Sequence, residues 1–314
     1  MYFPYLRGRQ YELIALRELI ENNRLSNNIV PIIEPVKVTP TLLNAIKSFN
    51  NNDKKFVIIR NPSVGTFVMD SNKPKNAEIF ENIQNAINSK NVYSGIIINQ
   101  QSSEFVNTLL GKGVPYEQMT ALCFNSDEID NLQSAFREAA PKYNVIPYSP
   151  AFRRVRKGDR IMIDDKFNKR PRNSDYLDFD DEFFSDDHLY CYEDGYKGFS
   201  DYSIVGKDYS DSGFAPYAVA IHIVYPVSES DKSLRIHHFV SDSNYDISDP
   251  ANKFYEALKK LVEWNKEKKL NTLAMKTFEA MYENETYPGL GVVKKLSIMH
   301  HIELVGKHLD EVLG

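Results

Sequence analysis

Residues 29–36 read IVPIIEPV, and Thr39 and Pro40 then introduce TLLNAIKSF over positions 41–49. The first stretch is almost continuously apolar, as expected of a strand buried on both faces, and not the alternation of a half-exposed one. The second is amphipathic with a helical period. Thr39 would cap it and Pro40 would occupy its first turn, where the missing N–H costs nothing. The theme of apolar run, capping turn and amphipathic segment repeats on either side. FVIIR (56–60) leads to EIFENIQNAI, GIIIN (95–99) to EFVNTLL, and TALCF (120–124) to EIDNLQSAFREA. YNVIPYS (143–149) and RIMID (160–164) follow. Counting 2–6 first and 198–204 last gives eight strands, the number that closes an α/β barrel.

The reading is therefore an α/β chain with a (β/α)8 TIM-type barrel over 1–210. Residues 211–314 form a β-hairpin plus C-terminal helices packed on the barrel. An open doubly wound sheet is the rival, but no G-x-G-x-x-G follows the first strand. In the second segment, PYAVAIHIVYP and LRIHHFV predict antiparallel strands, and 250–268, 271–283 and 290–313 read as helices, with Asp249 capping the first.

Composition sets outer limits. With 42% hydrophobic and 26% charged residues the chain carries enough apolar material for a large core. A net charge of −5 provides no bulk attraction to nucleic acid or anionic membrane. Cys123 and Cys191 are too few for a disulfide framework, and Cys123, between Leu122 and Phe124, reads as a buried thiol. Without a signal-like start or an apolar run near 18 residues, the expected location is the cytoplasm. The 19 tyrosines, dense between 176 and 225, suit a half-wet sheet or cleft equally with an ordinary core margin.

Barrel active sites lie at the carboxyl ends of the strands, so polar residues there are the candidates. Arg7, Arg9, Arg60 and Lys166 would bind an anion, because guanidinium forks match phosphate or carboxylate; pairing with Glu12 or Glu34 is the alternative. Glu34, Asp164 and Asp201 would be catalytic carboxylates or ligands for Mg²⁺ or Mn²⁺, or else salt-bridge partners of the arginines. Asn99 and Tyr202 complete the set. The charged stretch from Asp164 to Tyr176 reads as a lid loop. The His237-His238 and His300-His301 pairs make poor metal motifs, and no triad, P-loop or zinc spacing occurs.

The opening MYFPYLRGRQYELIALREL, the IVPIIEPV strand and GFSDYSIVG resemble the phage beta-protein family and its bacterial relatives. The matching positions are Pro4, Leu6, Arg7, Glu12, Ala15, Leu16, Pro31, Ile33, Glu34, Asp201 and Tyr202, and the resemblance covers about residues 1–225. It implies a barrel and a setting in phage-conflict gene neighbourhoods, with no established reaction. The expectation is a component of an anti-phage defence module that binds an anionic ligand, or a partner protein of the same module, at the carboxyl-terminal barrel face. The alternatives are a metal-assisted phosphodiester hydrolase and a non-catalytic docking partner.

Overall fold

The computed structural model describes residues 1–211, 216–228 and 230–313. Nine strands precede residue 210: β1 Tyr5–Leu6, β2 Ile32–Ile33, β3 Phe56–Ile59, β4 Val92–Ile97, β5 Met119–Leu122, β6 Tyr143–Pro147, β7 Asp159–Asp164, β8 Asp181–Ser185 and β9 Gly198–Asp201. All but β8 lie in one parallel sheet, in sequence order. Bridges from Tyr2 to Ile29 and Phe199, with Phe3 N–H donating to the Phe199 carbonyl at 2.8 Å, bring the last strand to the first. The result is a nearly closed (β/α)8 TIM-type barrel.

Helices α1 Gln10–Glu21, α2 Pro40–Asn51, α3 Phe67–Ser71, α4 Ala77–Ala86, α5 Ser102–Gly111 and α6 Ile129–Ala135 occupy the crossovers up to β6. Thr39 caps α2 as read from sequence, its Oγ1 accepting from Leu42 N–H at 3.2 Å with Pro40 in the first turn. The lumen is a packed aromatic column. Phe3 meets Tyr143 edge-on at 4.9 Å, Tyr93 meets Tyr143 at 5.3 Å, and Tyr5 lies 5.0 Å from Tyr202. Val57, Ile59, Val145, Ile161 and Ile163 fill the gaps between the rings.

Compactness divides the chain less simply than a boundary at 210–211. One unit holds Met1–Leu13, Asn27–Asp165 and Tyr190–Tyr202; the other holds Ile14–Ser26, Lys166–Leu189 and Ser203–Gly314. In the second unit β10 Ala220–Pro226 and β11 Leu234–Val240 form the expected hairpin, with His222 opposite His238. A third strand, β8, pairs antiparallel with β11. The stretch read as a lid loop thus runs into ordered structure. Tyr176 sits buried in a 3-10 turn over 173–178, and β8 follows it. After the four-residue helix α7 Asp187–Tyr190 come α8 Pro250–Lys268, α9 Leu273–Glu283 and α10 Leu290–Leu313, where the sequence places helices. Lys295 of α10 pairs with Glu18 at 2.6 Å. No described helix is long and apolar enough to cross a membrane.

Candidate functional site

Side chains in a strand alternate between faces. In the barrel wall the lumen face carries Tyr5, Ile32, Ile59 and Tyr202. Continuing the same parity one step past β1 and β2 reaches Arg7 and Glu34, and these two meet. The Glu34 carboxylate is fully buried and is bonded directly by the Arg7 guanidinium. It also accepts from the Tyr5 hydroxyl at 2.7 Å, from Ser63 N–H at 2.7 Å and from Ser63 Oγ at 2.9 Å. A buried carboxylate with one donor would be costly; one with four is accommodated.

Arg7 lies over the rings of Tyr5, at 5.0 Å, and Tyr202, at 5.6 Å. Its side chain keeps 13% of its surface open. Burial opposes its charge, but Tyr5 and Glu34 outweigh that and hold the guanidinium more firmly protonated than usual. Tyr202 is pushed well above the ordinary phenol range, chiefly by burial; the Arg7 cation opposes the rise, and Asp165, Glu34 and Asp164 add to it. Gly8 follows at φ +61°, where a Cβ would stand 2.9 Å from the Glu34 carbonyl, so the turn that sets Arg7 against Glu34 requires glycine.

The other candidates fall elsewhere, mostly because they are one residue out of phase. Arg60, next after Ile59, points away from the lumen and donates to Ser94 Oγ at 3.2 Å and to Gln84 Oε1 of α4 at 3.3 Å. Asp201 likewise faces outward, beside Phe199, and accepts from the Tyr2 hydroxyl at 2.6 Å. Asp164 is exposed at the end of β7, in register with Asp201. Arg9 leads into α1, its backbone N–H donating to Glu12 Oε2 at 3.2 Å. Asn99 is exposed and builds the turn into α5, accepting from Gln101 N–H while its own N–H donates to Ser102 Oγ, both at 2.8 Å. Lys166 belongs to the second unit, where its ammonium is 2.9 Å from Asp187.

The expected carboxylate set is therefore not gathered: Glu34 and Asp201 lie on opposite faces of the wall. Among the described residues, no group of three or more His, Cys, Asp or Glu side chains is placed to hold a metal ion. What the structure does bring together is Arg7, Glu34 and Tyr202, with Tyr5 and Ser63 added. Parity with Tyr202 was the available signal for Tyr5, whereas the turn after β3 hides Ser63. Asn61 is also at this end, its amide clasping the backbone of Ile97 at 2.8 and 2.9 Å.

Compared with protein-family profiles, curated proteins and solved structures, the chain finds no match. The resemblance drawn above thus rests on its own short motifs, and two of the residues that carry it, Arg7 and Glu34, are the ion pair at the barrel mouth. Cys123, as read, is a buried thiol, with burial foremost and Glu128 next in pushing it up to about 12. The run Arg153-Arg154-Val155-Arg156-Lys157-Gly158-Asp159-Arg160, outside the candidate set, carries its own signal of five cations in eight positions.

Proposed function

We propose that the carboxyl-terminal mouth of the barrel binds a small anionic ligand, bearing phosphate or carboxylate, with Arg7 as the principal contact. The observation that carries this reading is the clamping of one partly open guanidinium by a buried carboxylate and two tyrosine rings. An arginine held in place beforehand loses little conformational freedom when an anion arrives, and its planar fork matches two oxygens at once. Glu34 spreads its charge over four donors, so it orients Arg7 at reduced electrostatic cost to an incoming anion. A role within a phage-conflict module is proposed with it, supported by the motif residues Pro4, Leu6, Pro31 and Asp201. The hydrolase alternative has less support, because its carboxylates face opposite ways.

The test is a thermal melt with inorganic phosphate and with nucleoside monophosphates, in the presence of chelator. We expect a ligand-dependent rise in Tm that Arg7→Lys abolishes and Arg156→Glu leaves intact. Arg7→Lys keeps the charge beside Glu34, so folding survives while the fork is lost. A rise that persists in Arg7→Lys would overturn the assignment, as would no rise with any of these anions.

A further inference from the structure

The connection from β6 to β7 differs from the crossovers before it, which carry α-helix: it is a short 3-10 turn, Pro150–Arg154. Phe152 and Val155 are buried and anchor it, while Arg153, Arg154, Arg156 and Lys157 are exposed. The segment is fixed at its far end. Gly158 has φ +81°, and a Cβ there would approach the Pro141 carbonyl to 2.6 Å. Asn144 Nδ2 donates to the Lys157 carbonyl at 2.7 Å. The cations therefore project from a braced ridge.

Arg156 stands on the rim between two depressions. One, of about 420 Å³, is lined by Arg153, Arg156, Asp159, Arg160 and Lys197 among others. The second, of about 320 Å³, carries Arg137, Arg154, Arg156 and Lys157 on its walls. Among the described residues Asp159 is the one carboxylate lining either, and Lys142 holds it at 2.8 Å. The side chains of Arg153, Arg156, Lys157 and Lys197 form no ion pair or hydrogen bond among the described residues. Arg154 has only exposed Asp130 at 3.8 Å, and Arg137 only Glu138 at 4.0 Å. Such contacts neutralise little. In a chain of net charge −5, this is a strongly positive strip. Beside it, Arg160 lies over the Tyr196 ring at 4.9 Å, and the ring of Tyr148, 61% exposed, is 6.2 Å from that of Tyr196.

We propose that this strip is a binding groove for single-stranded nucleic acid. Its cations are strung along two adjoining depressions instead of converging on a point, which suits a repeating phosphodiester and not one small anion. The apolar residues of the segment, Phe152 and Val155, are buried, so it lacks the protruding apolar face by which an interfacial segment enters a membrane. The open Tyr148 ring next to the cations offers a face for an unpaired base, which a duplex does not present.

The experiment is fluorescence anisotropy of the full chain with a labelled 20-nucleotide single strand of mixed sequence, between 50 and 200 mM NaCl. Binding should weaken steeply with salt. The triple variant Arg153→Glu, Arg156→Glu, Lys157→Glu should lose at least tenfold in affinity and flatten the salt slope. Tyr148→Ala should weaken binding severalfold with the slope unchanged. All four side chains are exposed, and an unchanged melting curve verifies folding. Three results would each overturn the proposal: no binding at 50 mM NaCl, equal affinity in the triple variant, or a duplex of the same length bound as tightly as the single strand. Capture by anionic phosphatidylserine vesicles with no binding of the oligonucleotide would overturn it too.

Discussion

Tyr2 and Asp201, 199 positions apart, are joined by a 2.6 Å hydrogen bond from the phenol to the carboxylate. The bond lies where the last parallel strand meets the first, alongside the backbone bridge from Tyr2 to Phe199. It gives Asp201 a structural task at the seam. Both residues are buried, so removing the donor strands a polar group. Tyr2→Phe should lower the unfolding free energy by about 1–3 kcal/mol, and Asp201→Asn by less than Asp201→Ala, measured by urea denaturation. A Tyr2→Phe protein as stable as the parent would show that the seam does not depend on this bond.

Glu34 is the second structural carboxylate, and its replacement tests the mouth. Glu34→Ala leaves Arg7 without its buried counter-charge and should destabilise by about 3–5 kcal/mol. Glu34→Gln retains an acceptor for Tyr5 and Ser63 and should cost clearly less. Equal losses in the two variants would argue that shape, not charge and hydrogen bonding, dominates at this position.

Gly8→Ala should destabilise by about 1–3 kcal/mol through its left-handed backbone and its contact with the Glu34 carbonyl. Gly113 is also left-handed, but a Cβ there meets nothing within 4 Å. Gly113→Ala should therefore cost less than Gly8→Ala in parallel chemical denaturation.

Stability should depend on acid pH through the buried histidines of the second unit. Burial, the largest cause in each, lowers His300 and His188 to about 4 and His301 to about 3. Burial holds His300 neutral against the pull of its Nε2–H bond to the Val224 carbonyl at 2.7 Å, and the Thr272 hydroxyl donates to Nδ1 at 2.8 Å. The unfolded chain takes up protons near pH 6.5 and the folded chain does not. Stability is complete above pH 6.5 and is lost as pH falls from there through about 4, by up to about 1.4 kcal/mol per pH unit for each histidine. His300→Gln should flatten that slope between pH 6 and 4.5 in melts followed by circular dichroism; an unchanged slope would remove His300 from the account.

The staves of the barrel were legible because strands sheathed on both faces have to be greasy throughout, as IVPIIEPV and FVIIR are. The site was only half legible. Listing polar residues at strand ends ignores which way each one points, and a shift of one position sends Arg60 and Asp201 outward while Arg7 and Glu34 turn in. Reading parity from Ile59 and Tyr202 separates them. Strand β8 was hidden for a different reason. Asp181-Glu182-Phe183-Phe184-Ser185 begins with two acids and finds its partner, β11, some fifty residues later, so no local pattern announces it.

The lumen is filled by the edge-on and tilted rings of Phe3, Tyr5, Tyr93, Tyr143 and Tyr202. The Arg7 mouth and the cationic ridge before β7 are built from separate side chains: Arg7, Glu34, Tyr5, Ser63 and Tyr202 in the first, Arg153, Arg154, Arg156 and Lys157 in the second. Each can be altered without retuning the other, so changes at Arg7 and at Arg156 should combine as simple sums of free energy.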